Sequence, residues 1–199
     1  DRLILRNSNN LNFGLLGFLG LFFISSISYF THLFFPHNYL HNSILTLLGF
    51  LFFIYFFING KIKVKKESLI IFFLLIIGIF IAKSHDDFPY YHLPNALHFA
   101  ENKLEFGLGN LNHGFKHHSS IFYLYSVFNL PLIQHYIFNV LNFFFLIFAV
   151  NFLYETIDED IKNYKFDNNS LLKIIFLILF VSVFNRIGEY GTDITGQLL

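Results

Sequence analysis

The sequence predicts an all-α polytopic membrane protein with about five transmembrane helices, and three observations carry that prediction. Composition is the first: 55% of the residues are hydrophobic and 13% charged, against about 25% charged in soluble domains. The second is spacing, because apolar runs near 11–30, 44–59, 68–83, 131–154 and 170–185 are each bounded by polar or charged residues. The third is that lysine and arginine crowd one side of these runs while histidine gathers on the other.

The run at 11–30 reaches the roughly 17–25 residues a helix needs to cross hydrocarbon. It sits where a signal peptide would, yet it is too long for one, has no small-residue cleavage pattern and is followed at once by another apolar run. It reads as a retained helix, with Gly14, Gly17 and Gly20 as a packing face of small residues. A loop holding His32, His37 and His41 leads to the run at 44–59. Lys61, Lys63, Lys65 and Lys66 fill the next loop, which the positive-inside rule puts in the cytoplasm. The runs at 68–83 and 170–185 are short, so they recruit flanking Ser68, Lys83 or Asn185, or thin the bilayer locally. Counted alternately, Arg2, Arg6, Lys162 and Lys165 also fall inside, while Lys83, Lys103, Lys116 and Arg186 fall outside or at that border. The N-terminus is therefore expected in the cytoplasm, in a bacterial inner membrane, and all ten histidines fall on the outer side.

The outer loop at 84–130 is too long for a mere connector. Pro94 suits the first turn of a helix, with Leu97, Ala100 and Leu104 on one face and Asn95, His98, Asn102 and Glu105 on the other. That pattern predicts an amphipathic helix in the interface. Ser120 to Asn129 predicts a second, whose Phe122, Tyr123, Tyr125 and Phe128 are expected at headgroup depth.

Residues 1–199 read as a single membrane domain; with no methionine and a first residue Asp1, a fragment of a longer chain is expected. The absence of cysteine excludes disulfides and thiolate metal sites. No nucleotide-binding motif is present, and no nucleic-acid partner is expected. The abundance of Phe, Ile, Asn and Lys reads as an AT-biased genome, which lowers the weight of any single asparagine.

Chemistry concentrates in Lys83-Ser84-His85-Asp86-Asp87-Phe88-Pro89-Tyr90-Tyr91-His92, just outside the third run. Carboxylates there can take a proton from a hydroxyl or hold a cation that offsets a departing phosphate. The bland alternative is a hydrated loop whose aspartates cap the next helix. His85, His92, His98, His113, His117 and His118 could join the aspartates in a Zn, Mn or Fe site, though none of their spacings makes a helical ligand face. Arg186, at a span end, suits bidentate pairing with a lipid phosphate, with interfacial snorkelling as the alternative.

From residue 69 onward this arrangement resembles the N-terminal part of the GT-C superfamily of membrane glycosyltransferases, which use polyprenyl-phosphate sugars. In that family an outer loop carries an acidic pair near a span end, often with an aromatic residue four positions after the first acid, and two juxtamembrane helices follow. Asp86-Asp87 with Tyr90 matches, and Glu189-Tyr190-Gly191-Thr192-Asp193 stands where several members carry a second acidic motif. Two extra spans precede the acidic loop here. The resemblance implies sugar transfer on the non-cytoplasmic face, with Asp86 as base and Asp87 ordering the loop or ligating a cation. It implies Tyr90, His92, Arg186, Glu189 and Asp193 as substrate-binding residues, and Asp86, Asp87 and Glu189 as ligands of a divalent cation, Mg or Mn. A lipid-linked sugar donor and membrane lipids are the expected partners. Glu189 and Asp193 are then expected to approach the Asp86-Asp87 loop in the folded chain. A transporter or flippase, or a non-catalytic assembly subunit, is the alternative; carriers usually bury ionisable groups at midplane, and these runs hold almost none.

Overall fold

The computed structural model describes residues 12–59, 64–80, 85–111, 113–116 and 119–190. Among the described residues the fold is all-helical; extended pairing is limited to an isolated bridge between Leu130 and Gln134. Helix α1 (Phe13–His32) begins at Asn12, whose side-chain oxygen accepts the Leu15 N–H at 3.1 Å. Helix α2 (Tyr39–Ile58) begins at Asn38, which accepts the His41 N–H at 3.0 Å. It therefore starts well before residue 44, because a capping side chain, and not the onset of apolarity, sets where the first turn forms. Then come α3 (Lys66–Ile76), continued by a 3-10 turn to Phe80, and a π turn (Phe88–His92) that leads into α4 (Leu93–Glu101). Helices α5 (Ser120–Val127), α6 (Asn139–Lys162), α7 (Asn168–Ser182) and α8 (Phe184–Ile187) complete the chain.

Three of these helices, α1, α2 and α6, are long and apolar enough to cross a membrane. By length and composition these are the helices of a membrane protein. Helices α3 and α7, with 11 and 15 residues, fall short of that length. Helix α6 is the centre of the bundle, with α1, α3 and α7 packed on it. Close approach of α1 depends on two glycines. A Cβ at Gly14 would lie 2.2 Å from the Phe148 carbonyl oxygen, and one at Gly17 would lie 2.2 Å from the Phe148 ring. Gly20 faces open space, so the expected three-glycine face narrows to two. Of α2 only Asn42 is buried.

Helices α4 and α5 stand where two interfacial helices are expected. Helix α5 packs against both α4 and α1, and its Phe122 and Tyr125 are buried in the protein at 1% and 0% exposure. The reason is a tether: the Tyr125 hydroxyl donates to the Asn142 side-chain oxygen on α6, which draws the aromatic face inward. Asn95, assigned by periodicity to the polar face, is also fully buried and donates to the Tyr91 and Gly114 carbonyls at 2.6 and 3.2 Å. Leu104 lies beyond the end of α4.

At the other end of the bundle Glu155 of α6, 3% exposed, accepts the Ser68 hydroxyl at 2.6 Å and the Phe13 backbone N–H at 3.1 Å. One carboxylate thus joins the first turns of α1 and α3 to α6, satisfying an amide that no helical partner reaches.

Candidate functional site

The acidic pair sits in a turn closed by the Phe88 N–H donating to the His85 carbonyl at 3.0 Å. Pro89 follows, where its missing N–H costs nothing at the entry to the π turn and α4. The Asp87 N–H donates to His85 Nδ1 at 3.2 Å, and an Asp87 carboxylate oxygen lies 3.5 Å from the same nitrogen. Nδ1 serves one partner at a time: bare, it accepts the amide proton; protonated, it faces the carboxylate. Asp86 is exposed, and its carboxylate has no partner among the described residues.

The second acidic segment arrives from α8. Asn142 of α6 takes the Tyr125 hydroxyl on its oxygen and donates from its nitrogen to the Glu189 carbonyl. A single amide therefore carries the position of α5 through α6 to residue 189. Next door, the Tyr190 carbonyl accepts the His85 N–H at 2.7 Å. The Tyr190 ring is held by Phe88, Tyr125 and Phe138, with centroids 4.4, 4.6 and 5.6 Å away. Tyr190 is 5% exposed, and its hydroxyl has no hydrogen-bond partner among the described residues; burial pushes the phenol pKa well above its usual value.

The bond between His85 and Tyr190 bounds the distance between the two acids. Bond lengths through the bonded pair plus one residue on each side put the Asp86 and Glu189 Cα atoms no more than about 15 Å apart. Glu189 is half-buried and Arg186, one short turn earlier, is exposed. Asp193, His117 and His118 lie outside the described residues. Among the described residues no three His, Asp or Glu side chains gather as a metal site requires, so Asp86, Asp87 and Glu189 do not form a closed ligand set there.

The two aromatic candidates of the loop separate. Tyr90 is 74% exposed. His92 is 1% exposed, its ring packed on Tyr91 and Phe122 at 4.3 and 5.1 Å. The π turn produces this split by shifting the helical register just before α4.

A family model described as "Domain of unknown function (DUF8201)" matches residues 2–199. The chain belongs to the DUF8201 family. No curated protein and no solved structure matches it.

In this DUF8201 chain the polar residues that hold the outer layer escaped the sequence reading. The Asn42 side-chain nitrogen donates to the carbonyls of His37, Ser126 and Asn129 at 2.7, 2.8 and 2.9 Å, tying α2 to the segment after α5. His37 is fully buried, with Nε2 3.0 Å from the Ser28 carbonyl and Nδ1 2.7 Å from the Ser126 hydroxyl. The carbonyl only accepts, so Nε2 carries the proton, while the single proton of the Ser126 hydroxyl is shared between Nδ1 and the Tyr123 carbonyl 2.8 Å away. Burial, helped by His32 and His41 nearby, pushes the His37 pKa down to about 3. The available signal was polar residues among apolar neighbours, such as Asn139, Asn142 and Asn151 along α6; the abundance of asparagine in this composition masked it.

Proposed function

We propose that this chain is the membrane part of a glycosyltransferase that moves a sugar from a polyprenyl-phosphate donor to an acceptor hydroxyl on the non-cytoplasmic face. In this reading α3 with its 3-10 turn, and α7, are the two additional crossings, the N-terminus is cytoplasmic and the enzyme resides in a bacterial inner membrane. The observation that supports it best is the 2.7 Å hydrogen bond from the His85 N–H to the Tyr190 carbonyl, which draws together two acidic segments about a hundred residues apart in sequence.

The exposed, unpartnered carboxylate of Asp86 accepts the proton of the acceptor hydroxyl as that oxygen bonds the anomeric carbon. The bond from the anomeric carbon to the phosphate oxygen breaks, and the phosphate departs on its lipid. Arg186, exposed at the same end, pairs with the departing charge. Asp87, adjacent to His85, keeps the turn in register. A divalent cation, if bound, would add further charge compensation for the phosphate.

The test is sugar transfer by the full-length protein reconstituted in liposomes. Asp86→Asn keeps size and removes the base, and it is expected to lower the rate by roughly a hundredfold or more with normal insertion and abundance, because the side chain is exposed. Activity retained in the Asp86→Asn, Asp87→Asn double variant would overturn the proposal. Movement of labelled lipid across the bilayer without transfer would assign the chain to the carriers.

A further inference from the structure

A cavity of about 480 Å³ opens between the C-terminal end of α4, the α1–α2 connection and the segment 129–135. It falls within the usual size range for small-molecule sites, about 300–1,000 Å³. We infer that this cavity binds an uncharged, hydroxyl-rich ligand, a sugar unit, at a site separate from the Asp86 turn.

The lining decides the ligand class. Asn38, Glu101, Asn129, Gln134 and His135 supply its polar groups, and Tyr39 and Leu97 stand among its apolar ones. Amides both donate and accept, and a carboxylate accepts from two hydroxyls at once, which is the pairing that a ring of vicinal hydroxyls offers. Tyr39 adds an aromatic surface for the C–H face of a pyranose. Among the described residues the lining contains no lysine or arginine but does contain Glu101, so a phosphate would meet repulsion from that carboxylate. Lipid phosphate is therefore not the occupant, and a neutral polyol is.

Two further observations point to a ligand. Asn129 is 6% exposed, and its side-chain oxygen has no hydrogen-bond partner among the described residues. A buried acceptor left unpaired is costly unless something arrives to donate to it. The wall beside it is also strained. Gln134 donates its N–H to the Leu130 carbonyl at 2.8 Å, and the turn between them holds Leu132 at φ 70° and places Gln134 itself at φ 51°. These are left-handed conformations that non-glycine residues rarely adopt and that concentrate at ligand sites. The Asn42 amide ties the Asn129 backbone to that of His37, which stands between the lining residues Pro36 and Asn38. The site is thus preformed and polar.

Its place matters. Helix α4 has 9 residues, about 14 Å of axis, with the Asp86 turn before its first residue and Glu101 at its last. The cavity and the acidic turn stand at opposite ends of one short helix. The inference holds whether or not the chain transfers sugar, and its failure is separable from that of the transferase proposal.

The experiment uses the full chain in neutral-lipid nanodiscs, with methyl α-glucoside, methyl α-mannoside and N-acetylglucosamine as probes, read by saturation-transfer NMR and calorimetry. Saturable binding of at least one probe is expected, with none for inorganic phosphate. Glu101→Gln, at an exposed side chain that does not hold the fold, is expected to weaken binding about tenfold, and Leu97→Trp, which fills the cavity, to abolish it. Asp86→Asn is expected to leave binding unchanged. The inference is overturned if none of the probes binds, if phosphate competes with them, or if Glu101→Gln, eluting as the parent does, binds as tightly as the parent.

Discussion

At the end of the bundle where α1, α3 and α7 begin and α6 finishes, the contacts are ionic. Lys65 and Lys162 meet Asp158 at 3.1 and 2.6 Å, Lys173 meets Asp160 at 2.7 Å, and only Glu155 among the acids there is buried. At the opposite end the contacts are mainly neutral: Asn42, Asn142, His37 and Ser126 are all fully buried and joined to backbone carbonyls or to each other. Exposed ion pairs are screened and tolerate loss, whereas a buried neutral network has no water to replace a missing partner. The comparison teaches that the histidine–asparagine end is held by buried neutral hydrogen bonds, while at the lysine–aspartate end one buried carboxylate, Glu155, does the joining and the ion pairs around it lie nearer the surface.

The largest effect should come from Asn42→Leu. It leaves the carbonyls of His37, Ser126 and Asn129 without their shared donor, at an expected cost on the order of 3 kcal/mol. Unfolding in mixed micelles followed by circular dichroism measures this, and a loss smaller than that of Glu155→Gln would reverse the ranking of the two ends. Glu155→Gln is next: an amide accepts through one oxygen only, so either Phe13 or Ser68 loses its partner, at about 1–2 kcal/mol.

How much of this was legible follows from the same residues. Periodicity and length located α1, α2, α4, α5 and α6, and composition identified a membrane protein. The acidic pair was visible as a motif, and its expected approach to Glu189 agrees with the bond between His85 and Tyr190. Asn42 was not legible as a tie, because two of its partners, Ser126 and Asn129, lie more than 80 residues away and come beside it only after α5 folds over α1. The inward face of α5 was missed for a similar reason: aromatic content does not say which neighbours cover a helix, and it is the Tyr125 tether to Asn142 that turns this face toward α6.

A pH titration sharpens the comparison further. His37 has a usual value near 6.5 when unfolded and is pushed down to about 3 in the fold, so the unfolded chain binds the extra proton between those values. Stability from this group is complete above about pH 6.5 and is lost as pH falls toward 3, by up to about tenfold in the unfolding equilibrium per pH unit. Stability measured from pH 7 to 5 should fall in the parent and stay flatter in His37→Asn; parallel slopes would assign the dependence to other groups. The smallest effect is expected for Lys162→Ala, which removes an exposed pair four residues apart on α6. No resolvable change in the unfolding midpoint should result, and a clear loss would show that the ionic end holds more than it does in this account.

By itself the sequence determined which stretches are apolar enough to cross a membrane, where the long helices lie and where its acids cluster, because hydropathy, capping and charge are properties of neighbouring residues. Tertiary structure alone decided that His85 meets Tyr190, that Asn42 ties the start of α2 to the end of α5 and that a polar cavity lies at the end of α4 away from the acidic turn. The physical reason is that a hydrogen bond between distant segments depends on direction and on a spacing near 3 Å. Only the packing of α1 and α5 around α6 supplies that geometry.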